Sequence, residues 1–240
     1  MDSFLIALQF LTRIPVSRSL PHDDAAVGRS VLYYPVVGFL LGLVLSGLAL
    51  ALAAGPDMVA AAVVLTAWVW LTGGLHLDGL ADCADACVGG LGDRQRSLAI
   101  MKDPAAGPIA VVVLLLVLLL KWAAVLALLQ QNNFICLLAA PILGRSAVLL
   151  LMLSTPYVRT NGVAEKMTQH FPFVEARWVV VISLVFVGVL MGWANVLLAG
   201  VLLLWLRYAA LVRLGGVTGD VYGAAVELIE TAALLAVVLL

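Results

Sequence analysis

The 240-residue chain has little charge: Asp, Glu, Lys and Arg make up only 11% of it, against about a quarter of an ordinary soluble domain. Such a chain cannot clothe a water-facing surface, which excludes a soluble globular fold. Lys and Arg number 13 against 14 Asp and Glu, a formal net charge of −1. The basic excess of a nucleic-acid binder is missing, and no nucleic-acid partner is expected. Cysteine is scarce as well. Cys83, Cys87 and Cys136 are too few and too poorly spaced for a disulfide framework and read as reduced thiols. Met1 to Val16 lack a basic start and a small-residue cleavage site, so they do not read as a removable signal peptide.

What the chain has in excess is apolar residues, 64% of the total, gathered in runs long enough for a bilayer. Spans are expected near 30–54, 58–77, 106–130, 133–154, 177–193, 195–213 and 221–240. The fold class is therefore all-α: a polytopic helical membrane protein of about seven transmembrane helices, forming a single integral-membrane domain over residues 1–240. Phe4, Leu8 and Leu11 share one helical face, which predicts an interfacial helix ahead of the first span. Small residues on many helices permit self-association as a homo-oligomer without demanding it.

The connections alternate between long and short. Arg13, Arg18, Arg29, Arg94, Arg96, Lys102, Arg159, Lys166, Arg177, Arg207 and Arg213 lie in or beside the long ones, and the short turns carry no Lys or Arg. By the positive-inside rule the N-terminus and long connections belong in the cytosol, at the cytoplasmic (inner) membrane. The remaining cations, Lys121 and Arg145, fall inside spans. Lys121 reads as snorkelling to a headgroup layer, whereas Arg145 requires a partner or a polar cavity. The last span is the least regular, because Glu227 and Glu230 sit in its first turns.

Chemistry concentrates in three places. Gly73 to Asp85 reads GGLHLDGLADCAD, with Asp78, Asp82 and Asp85 at i, i+4 and i+7 on one helical face. Like charges this close take up protons unless a cation sits among them. Oxygen ligands beside a phosphorylated substrate favour Mg²⁺. The bland alternative is a solvated acidic loop. Next, Arg94, Arg96, Lys102 and Asp103 precede the third span, where a phosphate cradle at a helix entrance competes with plain topology determinants. Third, Gly215 to Ala224 reads GGVTGDVYGA, followed by Glu227. Asp220 and Glu227 are again seven apart and reach the same membrane side, so carboxylates of separate helices converge as ligands of a metal pair. The glycines here, Gly219 among them, either admit a bulky phosphorylated ligand or allow tight helix packing. Gly-Gly-x3-Asp occurs at both Asp78 and Asp220, and with 21 glycines present it is taken as coincidence. His76 reads as a metal ligand, a proton acceptor or a hydrogen-bonding support.

These segments resemble the cobalamin synthase family, the adenosylcobinamide-GDP ribazoletransferases. The resemblance is carried by Phe10-Leu-Thr-Arg-Ile-Pro-Val16, Tyr33-Tyr-Pro-Val-Val-Gly38, Gly73-Gly-Leu-His-Leu-Asp-Gly-Leu-Ala-Asp82 with Asp85, Ile100-Met-Lys-Asp103 and Gly216-Val-Thr-Gly-Asp220. It covers nearly the whole chain. Cys83 departs from the threonine expected after Asp82, and 104–111 lacks the aromatic-glycine pattern often seen there. The resemblance implies transfer of phosphorylated adenosylcobinamide from adenosylcobinamide-GDP to α-ribazole or its 5'-phosphate, with release of GMP. It implies Mg²⁺ on Asp78, Asp82 and Asp85, supported by Asp220 and Glu227, with Asp82 or Asp85 as base and Lys102 at the reacting phosphate. Substrate contacts then fall to His76, Arg94, Arg96, Asp103, Arg145 and Gly219.

Two other classes compete. A CDP-alcohol phosphotransferase shares the Asp-Gly and Ala steps, but Asp82 stands where that family has arginine and its downstream aspartates are absent. A transporter also uses intramembrane carboxylates, yet it needs them near the midplane and open to both sides, and here they cluster at one face.

Overall fold

The computed structural model describes residues 2–16, 23–159 and 163–240; Arg18, counted above among the connection cations, lies outside them. The described residues form twelve α-helices and no strand beyond one isolated bridge. They are α1 (Asp2–Leu11), α2 (Asp24–Ser30), α3 (Tyr34–Ala51), α4 (Asp57–Thr72), α5 (Leu75–Gly89), α6 (Arg94–Ile100), α7 (Pro108–Gln130), α8 (Ile135–Ser154), α9 (Val163–Gln169), α10 (Phe173–Met191), α11 (Trp193–Leu214) and α12 (Gly219–Leu239). Six helices are long and apolar enough to cross a membrane: α3 with its lead-in from Asp24, α7, α8, α10, α11 and α12. A seventh candidate is the pair α4 and α5, bent by 87° at its break. This is a multi-pass helical membrane protein, as the apolar runs predicted.

The bend corrects the expected second span. Residues 58–77 read as one apolar stretch, but Gly73 (φ 64°) and Gly74 (φ 71°) both take the left-handed conformation, which side-chain-bearing residues avoid. The helix stops at Thr72, and the chain turns before α5 begins. The HLDGLAD motif therefore lies on a separate helix beyond the break, not on the continuous end of α4.

α8 is the hub. Nearly all of it is buried, and it packs against α3, α10 and α12. Gly38 and Gly42 of α3 make the closest approach, since a methyl group at either would collide with the backbone carbonyl of Pro141 or Leu138. This is the small-xxx-small contact that lets membrane helices touch backbone to backbone. By contrast α7, α10 and α11 leave most of their length exposed. Their outward Val, Leu, Ile and Trp side chains, such as Leu115, Trp178, Val189 and Leu197, form a face suited to lipid.

α1 packs the predicted apolar face onto the bundle. Ala7 and Leu11 are buried, Phe4 meets Tyr33 edge-on at 5.8 Å, and Phe10 stacks on Tyr34 at 6.3 Å. The Thr12–Arg13 step after it is pinned, because Thr12 Oγ1 donates to Leu8 O (2.7 Å) and Arg13 N–H donates to Leu71 O (2.7 Å). The start of the chain is thus tied to the end of α4, directly before the bend.

Two sequence expectations about the interior change. Lys121 does not snorkel: it is 1% exposed, donates to Glu227 (2.9 Å) and Glu230 (2.6 Å), and lies 4.1 Å from the centroid of the Trp68 ring. Arg145, also 1% exposed, pairs with the other oxygen of Glu230. Lys121 of α7 and Arg145 of α8 thereby neutralise both glutamates of α12, which explains how a helix with two charges near its middle can be one of the most buried. Glu227 is spent here and is not gathered with the aspartates.

Candidate active site

α5 crosses the first turns of α12 and α7. The crossing is set by glycine: a Cβ on Gly79 would stand 2.7 Å from the Asp220 carbonyl oxygen, and one on Gly223 would stand 3.2 Å from His76 backbone atoms. The glycines of both motifs therefore serve close packing, which in turn brings Asp78 and Asp82 of α5 toward Asp220 of α12. Gly219 differs, because nothing lies within 4 Å of where its Cβ would be and it borders the cavity described below. Of the two roles read for these glycines, packing belongs to Gly79 and Gly223, and open access belongs to Gly219.

The two Gly-Gly-x3-Asp stretches also share a device, contrary to the reading of coincidence. Gly73 and Gly215 each take the left-handed conformation at the end of a long helix. In each case the next helix carries an aspartate in its first turn, Asp78 or Asp220. Thr218 caps α12 by accepting the Val221 N–H (3.3 Å), which fixes where that turn starts.

Asp220 has a cationic partner that sequence reasoning left among the topology determinants. Arg159 Nη1 lies 2.7 Å from Asp220 Oδ2. The segment bearing Arg159 is held by a short parallel pairing of Tyr157 with Val217, with Val158 N–H on Val217 O (3.0 Å) and Val217 N–H on Pro156 O (2.9 Å). The connection after α8 is thus clipped to the connection before α12. Asp82 sits in the field of like charges from Asp220, Asp78 and Asp85, opposed by Arg159.

A cavity of about 400 Å³ opens beside these groups, within the range of small-molecule sites. Asp78, Gly219, Asp220 and Arg159 border it, as do His76, Arg145 and Tyr222, together with apolar side chains of α1, α3, α8 and α9. Arg145 and His76 were both expected at the substrate, and both reach this cavity. Arg145 pairs with Glu230 and not with an aspartate. Tyr34, Met152, Tyr157, Arg159 and Tyr222 were not singled out by sequence; of these, Tyr34 lies inside a matching motif and Tyr222 inside the glycine-rich stretch Gly215 to Ala224.

Other expected site residues are placed elsewhere. Asp85 turns away to cap α7, accepting the N–H of Gly107 (2.5 Å) and of Ala110 (2.9 Å). Its carboxylate occupies the orphan donors of a helix start, so its expected roles as ligand and base are corrected. Lys102 is exposed on the connection before α7, and Asp103 accepts the Ala105 N–H (3.0 Å) in a local turn. Arg94 and Arg96 open α6, which Asp93 caps, and the Arg94 guanidinium lies beside Gly215. None of these four borders the cavity. The five carboxylates expected to share a site divide into Asp78 and Asp220 at the cavity, Asp82 in their field but outside the cavity lining, Asp85 at the α7 cap and Glu227 in the interior network. Among the described residues no group of three His, Cys, Asp or Glu side chains has an arrangement that could hold a metal ion. One or two carboxylates completed by substrate phosphate oxygens are nevertheless the ordinary surroundings of Mg²⁺, and the acidic donor set here fits that role.

Comparison with known proteins agrees with the motifs. The profile of the family described as cobalamin-5-phosphate synthase matches residues 3–238. A protein of Pseudomonas fluorescens strain Pf-5 named adenosylcobinamide-GDP ribazoletransferase is 52% identical, covering 100% of both chains. Proteins of the same name from Pseudomonas putida GB-1 and Ectopseudomonas mendocina are 53% and 54% identical, covering 100% and 98% of this chain and 99% and 97% of theirs. No solved structure matches.

Proposed function

Because the chain belongs to the cobalamin-5-phosphate synthase family, we propose that it joins GDP-activated adenosylcobinamide to α-ribazole, or to α-ribazole 5'-phosphate, and releases GMP. The observation that carries this reading is the meeting of Asp78, Asp82, Asp220 and Arg159, from separate elements, beside a cavity of substrate size.

In this reaction the ribose 3'-hydroxyl oxygen of the ribazole attacks the phosphorus nearer the cobinamide. The bond from that phosphorus to the bridging oxygen breaks, and GMP leaves with the electron pair. Asp82 takes the hydroxyl proton. Arg159, paired with Asp220 before substrate arrives, is the cation available to the pyrophosphate, where a guanidinium matches phosphate geometry. Asp78 and Asp220, with Asp82 beside them, would hold Mg²⁺, which when bound supplies charge neutralisation for the pyrophosphate. The Gly79–Gly223 crossing keeps these carboxylates in register, and preorganised electrostatics of this kind dominates phosphoryl-transfer catalysis.

The protein works in the cytoplasmic membrane with this site toward the cytosol. The support is the cation distribution: Arg13, Arg94, Arg96, Lys102, Arg159 and Arg213 all lie at or near the helix ends around the site, whereas the turns at the opposite ends carry none.

The test is purified protein in liposomes supplied with adenosylcobinamide-GDP, α-ribazole and Mg²⁺, run beside Asp82→Ala and an EDTA control. Cobalamin and GMP are expected only with the unaltered protein and metal. Transfer that survives both the substitution and chelation overturns the metal-carboxylate mechanism, and consumption of CDP-diacylglycerol instead overturns the substrate assignment.

A further inference from the structure

Resting on that reading, we infer that the cavity is the acceptor subsite, which receives the ribazole base-first while the corrinoid stays outside.

Size decides which substrate can enter. A corrin macrocycle carrying a nucleoside diphosphate is far larger than a 400 Å³ cavity, whereas a single nucleoside is of the class such cavities hold. The cavity also has a direction. Along α8 its wall runs from Arg145 through Val148 to Met152, a rise of about 10 Å at the usual helical spacing. Arg145 and His76 are 1% and 4% exposed, whereas Asp78, Arg159 and Asp220 are open at least in part to solvent. The charged groups therefore stand at the mouth and the buried polar groups at the inner end.

The lining distinguishes a benzimidazole from guanine, the other base in the reaction. Phe10, Tyr34, Val148, Met152 and Met167 present aromatic, branched and thioether surface, which suits a flat apolar ring. Six buried side-chain polar atoms lack a protein partner among the described residues, and three of them belong to cavity residues: His76 Nδ1, Arg145 Nε and Tyr222 Oη. A buried polar atom without a partner is costly, and a ligand that supplies one removes the cost. The ribazole base has a single unsubstituted ring nitrogen, an acceptor, and the Tyr222 hydroxyl is the donor assigned to it. The Tyr222 ring stacks on Tyr157 at 6.2 Å, which holds that hydroxyl in place. Guanine brings more donors and acceptors than the three unpartnered atoms of this lining can match, and would leave several of them unpaired. With the base innermost, the ribose hydroxyls lie toward Asp78 and Asp220, where the reaction takes place.

The experiment measures KM for each substrate separately, using protein in nanodiscs, and α-ribazole binding by calorimetry without the corrinoid. Met152→Trp, which fills the cavity, should raise the α-ribazole KM at least tenfold and leave the adenosylcobinamide-GDP KM within twofold. Tyr222→Phe removes one hydroxyl and little volume, and it should raise the α-ribazole KM roughly three- to tenfold, the worth of one hydrogen bond. An acceptor with indole in place of benzimidazole should bind the unaltered protein that much more weakly but bind Tyr222→Phe no worse than α-ribazole does. If the substitutions instead raise the adenosylcobinamide-GDP KM alone, or if Tyr222→Phe discriminates the two bases as the unaltered protein does, the subsite assignment is overturned while the transferase reading stands. If the unaltered protein transfers nothing, the transferase reading fails, and the calorimetric comparison of α-ribazole with GMP still decides the cavity: preference for GMP overturns the assignment.

Discussion

Replacing Lys121 by Met tests how the interior of this membrane protein is held together. The four charges of Lys121, Arg145, Glu227 and Glu230 sum to zero and are nearly sealed from solvent, with side-chain exposures of 2%, 1%, 5% and 0%. Lys121→Met keeps most of the stem length and removes the charge, leaving two carboxylates facing Arg145 alone. Breaking a buried pair in this way costs about 3–5 kcal/mol, because an uncompensated charge stays behind; loss of the Trp68 contact adds up to about 2 kcal/mol. The measurement is equilibrium unfolding in mixed SDS micelles, followed by far-ultraviolet circular dichroism. Lys121→Met should unfold at clearly lower SDS fraction, and adding Glu227→Gln should recover at least half of the loss by restoring neutrality. Lys121→Met within about 1 kcal/mol of the parent, the usual scale of an exposed pair, would refute the network. So would a double variant less stable than the single one, since coupled residues in one network are expected to compensate.

Further outcomes follow from the site. Gly79→Ala should reduce turnover on the order of a hundredfold with the protein still folded, because a shift of about an ångström between α5 and α12 misaligns the carboxylates; unchanged kcat would show that the crossing is not critical. Asp85→Ala should destabilise by about 1 kcal/mol, as loss of a helix cap does, and cost far less activity than Asp82→Ala when both are assayed side by side. Arg159→Gln should weaken adenosylcobinamide-GDP binding roughly tenfold or more, the effect of one lost charge-assisted contact, and a change confined to the α-ribazole KM would assign Arg159 to the other substrate.

The spans were legible because apolar run length and the membrane's thickness are the same quantity seen twice. Long-range pairing was not. Nothing in the spacing of Lys121 points to Glu227 and Glu230, which lie 106 and 109 residues away, so hydropathy left Lys121 to the nearest interface and cast doubt on a last helix that is in fact among the most buried. The Asp cluster was legible as a face, but a face spanning two turns can serve two neighbours. Asp78 meets the cavity, and Asp85 meets the N-terminus of α7. Arg159 escaped notice because a lone arginine in a connection is ordinarily a topology determinant. Its role arises from the Tyr157–Val217 bridge, for which the sequence carries no local signal.

The repeated glycine-aspartate arrangement resolves a conflict built into any membrane enzyme with a phosphorylated substrate. The reacting groups must be charged and closely spaced, yet charges within a span are expensive. Ending α4 and α11 on left-handed glycines closes each helix before its aspartate, and the following helix then begins with that aspartate at the bundle's end. The cost of charge is thereby avoided along the spans, while the glycine-to-backbone crossing of α5 and α12 supplies the closeness. The charges that break this separation inside the spans do so in neutralised form: Arg145, which borders the cavity, is held by Glu230, and Lys121 is held by Glu227 and Glu230. A site made this way sets its open charges at the mouth, with apolar side chains and a few buried polar groups behind them.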